Sequence, residues 1–94
     1  SNAMFSAKKL SPADKLKNIS SMLEEIVEDT TVPRNIRAAA DNAKNALHNE
    51  EQELIVRSAT AIQYLDDISE DPNMPIHTRT QIWGIVSELE TIKN

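Results

Sequence analysis

The chain contains no cysteine, which excludes disulfides, thiolate metal sites and cysteine nucleophiles together. It has a single glycine, Gly84, where an all-β chain of this length needs several for its turns. The aromatics are Phe5, Tyr64 and Trp83 alone, so the core must be aliphatic. No apolar run approaches a membrane span and nothing resembles a signal peptide, so a soluble, cytoplasmic protein is expected. An excess of basic residues is also missing. The net charge is −5, which weighs against a general nucleic-acid binder.

What remains is rich in helix formers, and the 94 residues suffice for one domain and not two. A domain of this size buries roughly 60–65% of the surface of its unfolded chain, enough for stability with little to spare. Ser1-Asn2-Ala3 reads as the remnant of a cleaved expression tag, with Met4 as the native start. Residues 4–10 form a lead segment carrying Phe5, Lys8, Lys9 and Leu10. Residues 11–94 are expected to form a single helical domain, divided into hairpins 11–48 and 49–94.

That division rests on an internal repeat. Leu23-Glu24-Glu25-Ile26 leads through Glu28-Asp29 to Val32-Pro33 and Arg37. Forty-two positions later, Leu65-Asp66-Asp67-Ile68 leads through Glu70-Asp71 to Met74-Pro75 and Arg79. Leu47 and Leu89 keep the same offset without a gap. A repeat of this period signals stacked helical hairpins.

Each helix is marked by its own stripe. Ser11-Pro12-Ala13-Asp14 is a helix start, followed by Leu16, Ile19, Leu23 and Ile26 at spacings of three and four, to about Asp29. Pro33 breaks that helix and opens a second, to about His48, with Ile36, Ala40, Ala43 and Leu47 on one face and Ala39 and Ala46 beside it. Asn49, with Gln52 three residues on, suggests a capping box for a third helix running to about Asp71. Its expected inward residues are Ile55, Ala59, Ile62, Leu65 and Ile68. Pro72 and Pro75 mark the next break, and a fourth helix uses Ile82, Val86 and Leu89, flanked by Ile85 and Ile92. The fold class is therefore all-α: four antiparallel helices formed by two related hairpins, either a HEAT-like pair or a four-helix bundle.

Within the repeat, Asp29, Pro33 and Arg37, with Asp71, Pro75 and Arg79, read as structural. The prolines set the turns. Each acidic residue is placed to meet the arginine after the chain reverses, an ion pair worth about 0–1 kcal/mol. The differences point elsewhere. Arg34, Asp41 and Lys44 correspond to Ile76, Trp83 and Val86, which share one helical face. Two explanations compete. Either the fourth helix is covered internally, for instance by Phe5 and Leu10, or the stripe is an interface anchored by Trp83. Homodimerisation is the favoured form of interface.

The runs Met22 to Arg37 and Leu65 to Trp83, with Asp71-Pro72-Asn73-Met74-Pro75, resemble a small archaeal group, uncharacterised protein family 0147. The likeness covers nearly everything from Lys15 onward. It implies a short, soluble, all-helical protein and supplies no activity, substrate or catalytic residue. Ile36-Arg37-Ala38-Ala39-Ala40 and Val56-Arg57-Ser58-Ala59 also resemble HEAT repeats. The gaps from Asp29 to Arg37 and from Asp71 to Arg79 are longer than in that pattern.

No constellation points to a reaction. His48 and His77 are the only histidines, and neither stands in a metal-ligand spacing. Glu51 follows His48 by one turn, but His48 near a helix end suits the negative terminus. The acidic clusters Glu24-Glu25-Glu28-Asp29, Glu50-Glu51-Glu53 and Asp66-Asp67-Glu70-Asp71 read as solvated faces. One glycine cannot build a phosphate loop. No catalytic residue, metal or cofactor is assigned. The expected role is a non-enzymatic protein–protein interaction or adaptor module, self-associating through the fourth helix. The alternative is contact with RNA or a ribonucleoprotein through Lys8, Lys9, Lys15 and Lys17, without interleaved aromatics other than Phe5.

Overall fold

A computed structural model describes residues 10–92. Residues 1–9, which hold the expected tag remnant and most of the expected lead segment, lie outside the described residues, as do residues 93 and 94. Four helices follow in order, with no strand among the described residues: α1 Pro12–Val27, α2 Arg34–Leu47, α3 Leu54–Ile68 and α4 Ile76–Leu89.

Helix α1 begins as its sequence dictates. The Ser11 hydroxyl accepts the Asp14 backbone N–H at 3.1 Å, and Pro12 occupies the first turn. Ile19, Leu23 and Ile26 are buried, and Leu16 packs beside them. The two repeat turns are built alike. Asp29 Oδ1 accepts the Thr31 N–H at 2.9 Å, and Asp71 Oδ1 accepts the Asn73 N–H at 2.8 Å. Val32 and Met74 then bury their side chains, and Pro33 and Pro75 stand as the N-caps of α2 and α4.

The second connection departs from expectation. Helix α3 starts at Leu54, so Asn49 does not cap it. Asn49 Oδ1 instead accepts the Glu51 N–H at 3.1 Å, closing a turn of its own, and no side-chain bond forms at the Glu53 N-cap. The inward face of α3 is also rotated from the expected one. Ser58, Ala61 and Leu65 are buried and Leu54 packs against the core, whereas Ile55 and Ala59 are exposed. Ile62 and Ile68 are half-buried at the flank. Small residues explain the choice. Helix α2 buries Ala39, Ala40 and Ala43, α3 buries Ser58 and Ala61, and these two helices share the most extensive close approach in the molecule. In α4, Ile82, Ile85 and Leu89 are buried with Thr78, while Val86 is half-buried.

The helices close into a ring. α1 packs on α2 and α4, and α3 packs on α2 and α4, while α1 and α3, like α2 and α4, make no close backbone approach. A translational HEAT-like stack sets first helix on first helix and second on second, which is the pattern missing here. Cross-links show the directions. Glu24 meets Lys44 and Ser20 meets His48, so α1 and α2 run antiparallel. Lys15 meets Thr91 and Asp29 meets His77, so α1 and α4 do too.

Candidate functional site

The repeat turns are tied to each other reciprocally. Asp29 spends Oδ1 on its own turn and presents Oδ2 to His77 Nε2 at 3.0 Å. Asp71 spends Oδ1 on its own turn and accepts a hydrogen bond from the Asn35 amide on Oδ2. Asn35 and His77 are equivalent under the forty-two-residue repeat, as are Asp29 and Asp71. Contacts of the form i to j and j to i relate the two turns by a local two-fold. Thr31, more than His77, holds the Asp29 carboxyl down at about 2. The Asn73 N–H and then Asn35 lower Asp71.

The arginines do not take the expected carboxylates. Arg37 Nε donates to the Val32 carbonyl at 3.0 Å. Arg79 donates to the carbonyls of Ser69 at 2.7 Å and Asp71 at 3.3 Å, so it meets Asp71 through the backbone. Arg57 does the same between α2 and α3, reaching the carbonyls of Gln52 at 2.7 Å and Leu47 at 3.4 Å. Each arginine stands four residues after an N-cap and satisfies carbonyls left over at the preceding turn. Asp29, Pro33, Arg37, Asp71, Pro75 and Arg79 thus gather at the turns, with bonds different from those expected of the two ion pairs.

The repeat makes two equivalent outer grooves, and their chemistry differs. An open groove of about 500 Å³ between α1 and α2 carries the polar side chains Lys17, Ser20, Glu24, Lys44 and His48 on otherwise apolar walls. Ser20 Oγ lies 2.7 Å from His48 Nε2, and Lys44 Nζ pairs with Glu24 at 2.6 Å. Each member of the latter pair favours the charged form of the other, lowering Glu24 and raising Lys44. Among the described residues no carboxylate holds the other ring nitrogen of His48, so Ser20 and His48 lack a triad's third member. No group of three or more His, Asp or Glu side chains among the described residues could hold a metal.

The equivalent groove between α3 and α4 is apolar. Ile62 stands for Ser20, Ala59 for Lys17 and Val86 for Lys44. Ile55, Ala59 and Ile62 line one side, and Leu89, Glu90 and Ile92 the other. Trp83 and Ile76 lie on the outer surface of α4, 73% and 83% exposed. Val86, the third member of the sequence stripe, packs against the core. Internal cover of Trp83 is absent among the described residues, and Phe5 lies outside them. Ile55 and Val56 extend exposed apolar surface along α3. Periodicity alone missed this groove, but carrying the α1 stripe forward by the repeat offset yields Ser58, Ala61, Leu65 and Ile68 and turns Ile55 and Ala59 outward.

Of the four lysines considered for RNA, Lys8 and Lys9 lie outside the described residues. Lys15 donates to Thr91 at 3.3 Å, and Lys17 lines the polar groove. Among the described residues no helix is long and apolar enough to cross a membrane.

A family model described as uncharacterised protein family UPF0147 matches residues 4–92. The UPF0147 protein of Methanocaldococcus jannaschii is 64% identical over 87 residues, spanning 93% of this chain and 94% of that protein. Its counterpart in Pyrococcus furiosus is 60% identical over 70 residues, spanning 74% and 75%. The crystal structure of a UPF0147 protein from Thermoplasma acidophilum superposes with a TM-score of 0.81 at 36% identity, covering 86% of this chain and 95% of that one. Matched by the family model over most of its length and by relatives up to 64% identical, the chain belongs to the uncharacterised family UPF0147.

Proposed function

We propose that the protein is a non-enzymatic interaction module that self-associates through the outer face of α4. The observation that carries this reading is Trp83, 73% exposed on a surface whose repeat equivalent carries Asp41. Ile76 and Val86 replace Arg34 and Lys44 in the same way. An exposed tryptophan flanked by apolar side chains is costly in water and typical of an interface anchor. A second copy suits the face because a two-fold interface sets one patch against its own equivalent.

Light scattering across a range of concentrations tests the reading. The wild type is expected to approach the mass of a dimer, and Trp83→Asp to remain monomeric with unchanged helix content by circular dichroism. Because each copy carries a net charge of −5, added salt should strengthen the dimer. A wild type that stays monomeric at every concentration overturns self-association. The RNA alternative has the opposite salt dependence and has less support, since Lys15 is already bonded to Thr91.

A further inference from the structure

The seam between α3 and α4 is the loosest in the ring. Of the four neighbouring helix pairs, this one has the least extensive close approach. The groove along it measures about 230 Å³, with Ile55, Ala59 and Ile62 on the α3 side and Leu89 and Ile92 at the end of α4. Ala59 is exposed and Ile62 half-buried, so apolar surface faces the opening. The first hairpin has Lys17 and Ser20 at the equivalent positions, which suit water. The second groove instead suits an apolar side chain, which would remove its walls from solvent.

The chain enters the fold beside this groove. Lys15 Nζ donates to Thr91 at 3.3 Å, so the first turn of α1 lies against the end of α4. Pro12 and Lys15 share a hollow of about 150 Å³ with Thr91 and Ile92, and Ile92 also lines the groove. From Leu10, where the described chain begins, the groove is reached by crossing the end of α4, about 10 Å wide with its side chains. Phe5 precedes Leu10 by five residues, and five extended residues reach about 17 Å. The charges match as well. Lys8 and Lys9 follow Phe5, while Glu90 lines the groove and Glu53 is the N-cap of the helix that forms its α3 wall. Lys93 and Asn94, which follow Ile92, have no large apolar side chain to fill it.

We propose that the α3/α4 groove is the docking site of this chain's own residues 4–9, with Phe5 as the side chain that fills it and Lys8 and Lys9 at its acidic rim. The loosest seam of the ring is thereby closed by a segment outside the four helices. Trp83 remains on the outer surface of α4, so the inference stands or falls independently of the proposed self-association.

The test is a spin label on the full chain, read through its methyl resonances. The chain has no cysteine, so Ser6→Cys takes a single label. The label is expected to broaden Ile62, Leu89 and Ile92 and to leave Ile26 and Ile36, at the opposite end of the ring, sharp. Phe5→Ser in the labelled chain should restore the broadened signals, and by itself should lower Tm by about 5 °C or more. Ala59→Glu, at an exposed helical position, should release the segment in the same way with helix content unchanged. Sharp Ile62 and Ile92 signals in the labelled chain overturn the docking. Broadening that persists in Phe5→Ser overturns Phe5 as the anchor. A mixture of spin-labelled chains with isotope-labelled chains that lack the cysteine should show no broadening. Broadening there would put the segment of a second copy in the groove and overturn the assignment to the same chain.

Discussion

Asp29 and His77 meet at 3.0 Å across the junction between the first repeat turn and the start of α4, and their repeat equivalents, Asp71 and Asn35, meet in the same way. Each aspartate closes its own turn with one oxygen and holds the other hairpin with the second. The hairpins are thereby fixed at both ends of one junction, which accounts for a closed ring where a run of repeats would otherwise stack.

Acid should loosen this junction at Asp29. Its carboxyl sits at about 2 in the fold, below its ordinary 3.8, chiefly through Thr31 and then through His77. A depressed carboxylate stabilises the fold above its unfolded value, and that contribution is lost as the pH falls through the folded one. Asp29→Asn is expected to lower Tm at pH 7, with the deficit shrinking between about pH 4 and pH 2. His77→Ala should keep most of that pH dependence, because Thr31 supplies the larger part. An Asp29→Asn deficit unchanged at pH 2 would count against the role assigned to this carboxylate.

Arg79 acts through the shape of its guanidinium as well as its charge. It bonds two carbonyls at once, those of Ser69 and Asp71. Arg79→Lys keeps the charge and loses the fork, and should cost about 1–2 kcal/mol. Urea unfolding of the two proteins measures the difference. Equal stability would mean that charge alone suffices.

Thr78 is buried in α4 with its hydroxyl unbonded, at the position where the first hairpin has Ile36. Thr78→Val removes the orphan group at nearly constant shape and should raise stability by about 1 kcal/mol. A loss of stability would reveal a partner for the hydroxyl.

Gly84 lies inside α4 with nothing within 4 Å of where a Cβ would stand. Gly84→Ala should therefore stabilise the helix by about 0.5–1 kcal/mol. A Tm that rises by several degrees fits, and a fall would mean that the position is crowded by a second copy.

Much of the fold was legible without coordinates. The stripes Ile19-Leu23-Ile26 and Ile36-Ala40-Ala43-Leu47 are buried as their spacing indicates, and Ser11 caps where its type and place suggest. These are local matters of periodicity and capping, decided within one helix. Helix α3 departs from the expected face because two adjacent faces carry apolar residues, Leu54-Ala61-Leu65 and Ile55-Ala59-Ile62. Ile55, Ala59 and Ile62 make a more hydrophobic stripe than Ser58 and Ala61, yet the smaller residues face inward because α2 approaches closely there. The capping box at Asn49 failed for a related reason. Its side chain found a turn first, and the helix began later.

The sequence by itself determined four helices, their breaks at Pro33 and Pro75, and a repeat whose second copy turns apolar at Ile76, Trp83 and Val86. Only the tertiary structure decided that the hairpins close into a ring with a local two-fold at their turns, that the arginines bind carbonyls, and that Trp83 stays outside while an apolar groove opens between α3 and α4. Local patterns fix what each helix can bury. Which of several burials is realised depends on the neighbours that reach it, and those are set by contacts between residues dozens of positions apart.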